Sequence, residues 1–108
     1  MSVTALGETT RLIELSGELT GRVAERVIAQ ADPYLARGSI IVLDIGIVEY
    51  VDAAGFHALI VLARLARARG ARMGLTHPSP ASRWLIRRIG ADRVIDVHDD
   101  AVADALER

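Results

Sequence analysis

An α/β fold built on a mixed, mostly parallel sheet of four to five strands is predicted for this chain. Two patterns predict it. Short apolar, β-branched runs alternate with segments of helical periodicity along the whole sequence, an order that calls for crossover helices between parallel strands. The central run, Ile40 to Ile45, is apolar at nearly every position, as expected of a strand covered on both faces. With 108 residues, about half of them apolar, there is material for one core. No linker is long enough to divide the chain, so residues 1–108 are expected to form a single domain.

The elements follow in order. Val3 to Leu6 is an optional first strand. Arg11 to Leu15 alternates as Arg-Leu-Ile-Glu-Leu, the period of a strand. Thr20 is placed to cap a helix that opens at Gly21 and carries Val23, Val27 and Ala31 at four-residue spacing. Pro33 either kinks that helix or starts a second short piece capped by Asp32, with Gly38 as the stop. After the Ile40–Ile45 strand comes an acidic turn, then a helix from Ala54 or Gly55 to Arg69. Ala71 to Thr76 is a shorter strand. Ser79 and Pro80 read as an N-cap and first-turn proline of a helix that Gly90 ends. Val94 to Val97 is the last strand. Asp99 or Asp100 then caps a helix with Val102, Ala105 and Leu106 on its apolar face. About four helices are therefore expected, packed mainly on one side of the sheet.

Composition removes several functions. All thirteen basic residues are Arg, so chemistry that needs a lysine amine is excluded; there is also no Cys for disulfides, thiolate metal sites or thiol switching. The net charge of −1 gives no bulk attraction to nucleic acid or to an anionic bilayer. No apolar run approaches the ~20 residues of a membrane span. Met1 to Thr10 lacks the basic-then-apolar order of a secretory signal, and a cytoplasmic protein is expected.

Catalytic motifs are missing too. There is no Gly-x-x-x-x-Gly-Lys loop and no Gly-x-Gly-x-x-Gly. His57, His77 and His98 have no metal-ligand spacing. Ser16, Ser79 and Ser82 lack a nucleophile-elbow setting, and Ser79 is explained as a cap. Asp44 and Asp52 suggest a phospho-accepting receiver domain, but a receiver needs a late lysine that this chain lacks. A non-enzyme with no cofactor and no metal is expected.

The segment Val42-Leu43-Asp44-Ile45 followed by Tyr50-Val51-Asp52-Ala53-Ala54-Gly55-Phe56 resembles the signature of STAS domains, the fold of bacterial anti-sigma factor antagonists. Ser16-Gly17-Glu18-Leu19-Thr20 resembles the family's Gly-Glu-Leu element, although Thr20 stands where Asp is frequent. Ser79-Pro80-Ala81 and Ile89-Gly90 match its Ser-Pro helix and following glycine. The resemblance runs from about Arg11 to Leu106. In the family the turn usually reads Asp-Ser-Ser-Gly or Asp-Ser-Thr-Gly, and the first Ser is phosphorylated by a kinase that is also the anti-sigma factor. Here that position is Ala53, followed by Ala54.

The resemblance implies a transcription regulator that binds an anti-sigma factor of the ATP-dependent serine-kinase type and so releases a sigma factor. Lacking both hydroxyls, it would not use the usual phosphoserine switch. The alternative is an adaptor subunit of a transporter or signalling assembly. A homodimer is left open, and neither nucleic-acid binding nor membrane insertion is expected. Some STAS-like domains have been linked to nucleotides or lipids, but no phosphate loop is present. The expected partner surface comprises Thr20 and Gly21, the turn Asp52, Ala53, Ala54, Gly55 and Phe56, and His57, Ile60, Val61 and Arg64 along the helix. That extension rests on the helix being apolar almost all round. Phe56, Leu59, Leu62, Ala63 and Ala66 share the arc predicted to face the sheet, leaving Ile60, Val61 and Leu65 on or beside the other.

Overall fold

The computed structural model describes residues 1–98. Their order is β1 (Ser2–Ala5), β2 (Thr10–Leu19), α1 (Gly21–Ala31), β3 (Ile40–Val51), α2 (Ala53–Ala68), β4 (Arg72–Thr76), α3 (Pro80–Ile89) and β5 (Asp96–His98). Two single 3-10 turns, Asp32–Tyr34 and Ala91–Arg93, complete the path. The five strands lie in sequence order across one sheet. β1 runs antiparallel to β2, and every later neighbour is parallel. The mixed, mostly parallel α/β architecture is thus the one the alternation predicts. Three α-helices lie among the described residues. The expected fourth, with Val102, Ala105 and Leu106, falls outside them, as do its caps Asp99 and Asp100.

Period-two alternation decides which face of the sheet the helices cover. Ile13 and Leu15 of β2, Ile41, Leu43 and Ile45 of β3, and Met73 and Leu75 of β4 are all buried. They join Ala24, Val27 and Ala31 of α1, Phe56, Leu59, Leu62, Ala63 and Ala66 of α2, and Ile86 of α3 in one cluster. Each fully buried Leu or Ile contributes on the order of 1.5–3 kcal/mol. The arc assigned to α2 from its spacing is therefore the arc that packs on the sheet.

Several boundaries differ from those expected from sequence. β2 runs on to Leu19 rather than ending at Leu15, and α2 opens at Ala53. β3 does not stop at Ile45 but continues to Val51. Its register with β2 slips where Glu14 pairs Asp44 and Ser16 pairs Ile47, and again where Gly17 pairs Val48 and Glu18 pairs Tyr50. Both slips place the extra residue on β3. The first is held by the Asp44 side chain, whose Oδ1 accepts from the Gly46 N–H at 2.8 Å. This local side-chain bond satisfies a backbone donor that the slip leaves without a ladder partner. Pro33 does start a separate piece, but Ala31, not Asp32, holds its N-cap position, and Asp32 is its first residue. The last strand begins at Asp96 rather than Val94, because Val94 and Ile95 close the preceding turn on the Ala91 carbonyl.

The cap of α3 is the expected one, and the acidic turn supplies the cap of α2. Asp52 accepts from the Gly55 N–H, and Ser79 accepts from the Ser82 N–H with Pro80 in the first turn. α3 ends on Gly90, whose φ of +75° puts it in the left-handed region. Thr20 occupies the N-cap position of α1 in extended conformation but makes no side-chain cap bond.

Candidate docking site at the β3–α2 turn

Two strand-to-helix turns meet at one end of the sheet. β2 leads through Thr20 into α1, and β3 leads through Asp52 into α2. Because the strands are parallel neighbours, with Leu19 opposite Val51, the two helix starts lie side by side. The Asp52 N–H donates to the Leu19 carbonyl at 3.3 Å. The Gly55 Cα lies against the same carbonyl so closely that a β-carbon there would overlap it. A β-carbon on Gly21 would stand 3.1 Å from that of Ala54. Backbone contact at Leu19 therefore locks the two turns together, and it requires glycine at 55.

The Asp52 carboxylate fixes the second turn. Its Oδ1 accepts from the Gly55 N–H at 2.7 Å, which satisfies one of the free donors at the start of α2 and places negative charge at the positive helix end. Ala53 and Ala54 follow on the outer side of the turn, and both are exposed. Gly55 and Phe56 are buried, Phe56 to 5% exposure in the core cluster. Phe56 thus anchors the turn from below.

Beyond the turn, α2 presents His57, Val61 and Arg64 to solvent, a row at spacings of four and three. Val61 is 41% exposed. Ile60 is half-buried and packs against the core, as does Leu65 on the same helix. The residues predicted from sequence are therefore brought to one region, but they divide into an outward set (Ala53, Ala54, His57, Val61, Arg64) and a supporting set (Asp52, Gly55, Phe56, Ile60). Thr20 and Gly21 are half-buried at the border.

Sequence reasoning missed two apolar residues just before the turn. Ile47 and Tyr50 on β3 are 67% and 56% exposed. Plain alternation does not carry that signal: Val48 and Val51, three residues apart, both pack against the core because the second register slip inserts Glu49 between them. A cleft of about 230 Å³ lies between this end of β3 and α3, with Val48, Tyr50, Phe56, Ser79, Ser82 and Leu85 among its lining. The other expected candidates do not gather into a reactive group. His77 Nδ1 is 3.2 Å from Asp44 Oδ1, the oxygen that also accepts from the Gly46 N–H, so this carboxylate is engaged within the fold. Among the described residues no set of three or more His, Asp or Glu side chains is arranged to hold a metal ion. Nor is any described helix long and apolar enough to cross a membrane.

The chain belongs to the STAS-domain family: the family described as "Mlab, STAS domain" matches residues 1–97. No curated protein matches it by sequence. Its fold is similar to that of several solved proteins. One is the anti-sigma factor antagonist SpoIIAA in its unphosphorylated form, with TM-score 0.77 and 20% identity over 98% of this chain and 95% of that one. The Bacillus SpoIIAA in its phosphorylated form gives 0.75 and 21% over 99% and 98%. A putative anti-sigma factor antagonist from Thermotoga maritima gives 0.80 and 14% over 99% and 94%. A sulfate transporter family protein from Wolinella succinogenes gives 0.72 and 24% over 94% and 88%.

Proposed function

We propose that this protein is a non-enzymatic, cytoplasmic anti-sigma factor antagonist. It binds an anti-sigma factor of the serine-kinase type through the β3–α2 turn and the outward row of α2, and thereby frees a sigma factor. The observation that carries this reading is the geometry of the turn. Asp52 and Gly55 hold it rigidly on the Leu19 carbonyl while Ala53 and Ala54 stand exposed at its crest. A rigid, exposed crest at a helix N-terminus is pre-organised for a partner, so little ordering cost is left for binding.

Ala53 takes the place that the family's phosphoserine usually holds. A phosphate there would bring about 1.5 to 2 negative charges into the interface. Without a hydroxyl at 53 or 54 the antagonist stays competent to bind, and its control rests on abundance or on another site. Phosphosite mapping after incubation with candidate anti-sigma kinases and ATP tests this. Phosphate on Thr20, Ser79 or Ser82 would show that control has moved to another hydroxyl.

A second reading, an adaptor subunit of a transporter, is favoured by the similarity to the Wolinella sulfate transporter family protein. Affinity capture from the native host, read by mass spectrometry, separates the two. An ATPase-type anti-sigma factor supports the first, and a transporter subunit supports the second.

A further inference from the structure

Charge is distributed very unevenly along this chain. Between Ala53 and Ala91 there are seven arginines and no Asp or Glu, while Met1 to Asp52 holds eight of the acids. Several of these arginines have no carboxylate within ion-pair distance among the described residues. Among the described residues Arg69 pairs with Asp32 and Arg72 with Asp96, and neither Arg87 nor Arg88 forms an ion pair. Those two residues lie on α3. At 100° per residue, Trp84 lies between Arg87 and Arg88 on the arc opposite the buried Ile86. Trp84 is 64% exposed, and the Arg88 guanidinium carbon stands 6.0 Å from its ring centroid. A large aromatic ring is thus held outward with a cation on each side.

We infer that the outward face of α3 is a second docking surface, and that its occupant is an acidic segment of a protein partner. It is separate from the β3–α2 turn and does not depend on the role proposed for that turn. The charge of the face decides the sign of the occupant. Its composition decides the class. Trp and Arg are the residues that dominate protein interfaces, where the ring supplies buried area and the guanidinium pairs with carboxylate. A bilayer surface fits less well. Leu85 and Ile86 face the protein, and the two large apolar side chains that α3 does expose, Trp84 and Ile89, lie about 140° apart around its axis, whereas interfacial helices bury one continuous apolar face. A nucleic acid also fits less well, because the acidic first half of the chain repels a long polyanion.

Trp84 is the single tryptophan, so its emission reports on this face alone. The test titrates the intact protein with a synthetic peptide rich in Asp and Glu around a central Leu-Phe pair. Saturable binding with a blue shift of Trp84 emission is expected, weakening as salt rises, with no response to the same peptide carrying Lys in place of its acids. The double variant Arg87→Glu/Arg88→Glu should lose about tenfold or more in affinity. Circular dichroism checks its fold. Arg22→Glu/Arg26→Glu on α1 makes the same change in net charge at exposed positions and should bind within about twofold of the parent, since rim charges act locally at physiological salt. The inference is overturned if no saturable shift occurs, or if the α1 variant loses as much as the α3 variant. It is equally overturned if phosphatidylglycerol vesicles or duplex DNA bind more tightly than the peptide. Emission that shifts with protein concentration alone would replace the acidic partner by a second copy of the chain.

Discussion

Gly55 and Leu19 are in backbone contact: the α-carbon of the first rests against the carbonyl of the second, with no room for a side chain between them. This contact joins the start of α2 to the end of β2 and brings Ala54 beside Gly21. Gly55→Ala therefore sets two effects against each other. The helix gains up to about 1 kcal/mol from the better helix former. The added methyl must push a backbone carbonyl, which is far less compliant than a side-chain tip and costs about 1–3 kcal/mol or more. The clash wins, and urea unfolding should show a net loss of stability. A variant as stable as the parent would mean that the two turns separate easily.

Asp52 acts on the same turn through its carboxylate. Asp52→Ala leaves the Gly55 N–H without its acceptor and should cost about 0.5–2 kcal/mol. Asp52→Asn retains an acceptor oxygen and a good N-cap and should cost clearly less. Thermal melts of the pair decide it, since 1 kcal/mol shifts Tm by roughly 4–8 °C in a domain this size. Equal melting points for Ala and Asn would show that the cap bond contributes nothing.

The fold was legible wherever one local pattern controlled one element. Ser79-Pro80 marked the start of α3, and the arc of Phe56, Leu59, Leu62, Ala63 and Ala66 fixed the orientation of α2. Strand length was not legible. β3 runs on past Gly46 because pairing with β2 continues through two register slips, and sequence-local reasoning sees only the glycine and the acid. Exposure at the site was partly hidden for the same reason. Phe56 looks available beside an exposed turn, yet the bend into α2 points it at the core, while Tyr50 emerges from a strand extension that periodicity alone did not carry.

Ala53 offers the most direct test of the docking proposal. It is exposed, so Ala53→Asp should fold normally and change stability by no more than about 0.5 kcal/mol. Pressed against a partner without a counter-charge, the new carboxylate costs a few kcal/mol, or at least about a tenfold loss in affinity. Calorimetry with the captured partner reads the loss. Unchanged affinity in a folded variant removes the turn from the interface. Ala53→Ser should, in addition, become a substrate for a partner kinase that leaves the parent protein unmodified at this turn.

Neighbouring positions on α2 separate contact from core. Val61 is 41% exposed, whereas Leu62 is fully buried in the cluster with the sheet. Val61→Asp and Arg64→Glu should therefore each leave stability within about 0.5 kcal/mol of the parent. Leu62→Ala removes a buried side chain and should cost about 2–5 kcal/mol. If the outward row contacts the partner, the first two weaken the complex without loosening the fold. Leu62→Ala loosens the fold while leaving the partner affinity of the folded fraction nearly unchanged. Denaturation curves and binding isotherms on the same three variants give both readings. Val61→Asp losing several kcal/mol of stability would place Val61 in the core. Normal binding by both outward variants would confine the contact to the crest at Ala53 and Ala54, and would favour the adaptor role over the antagonist one.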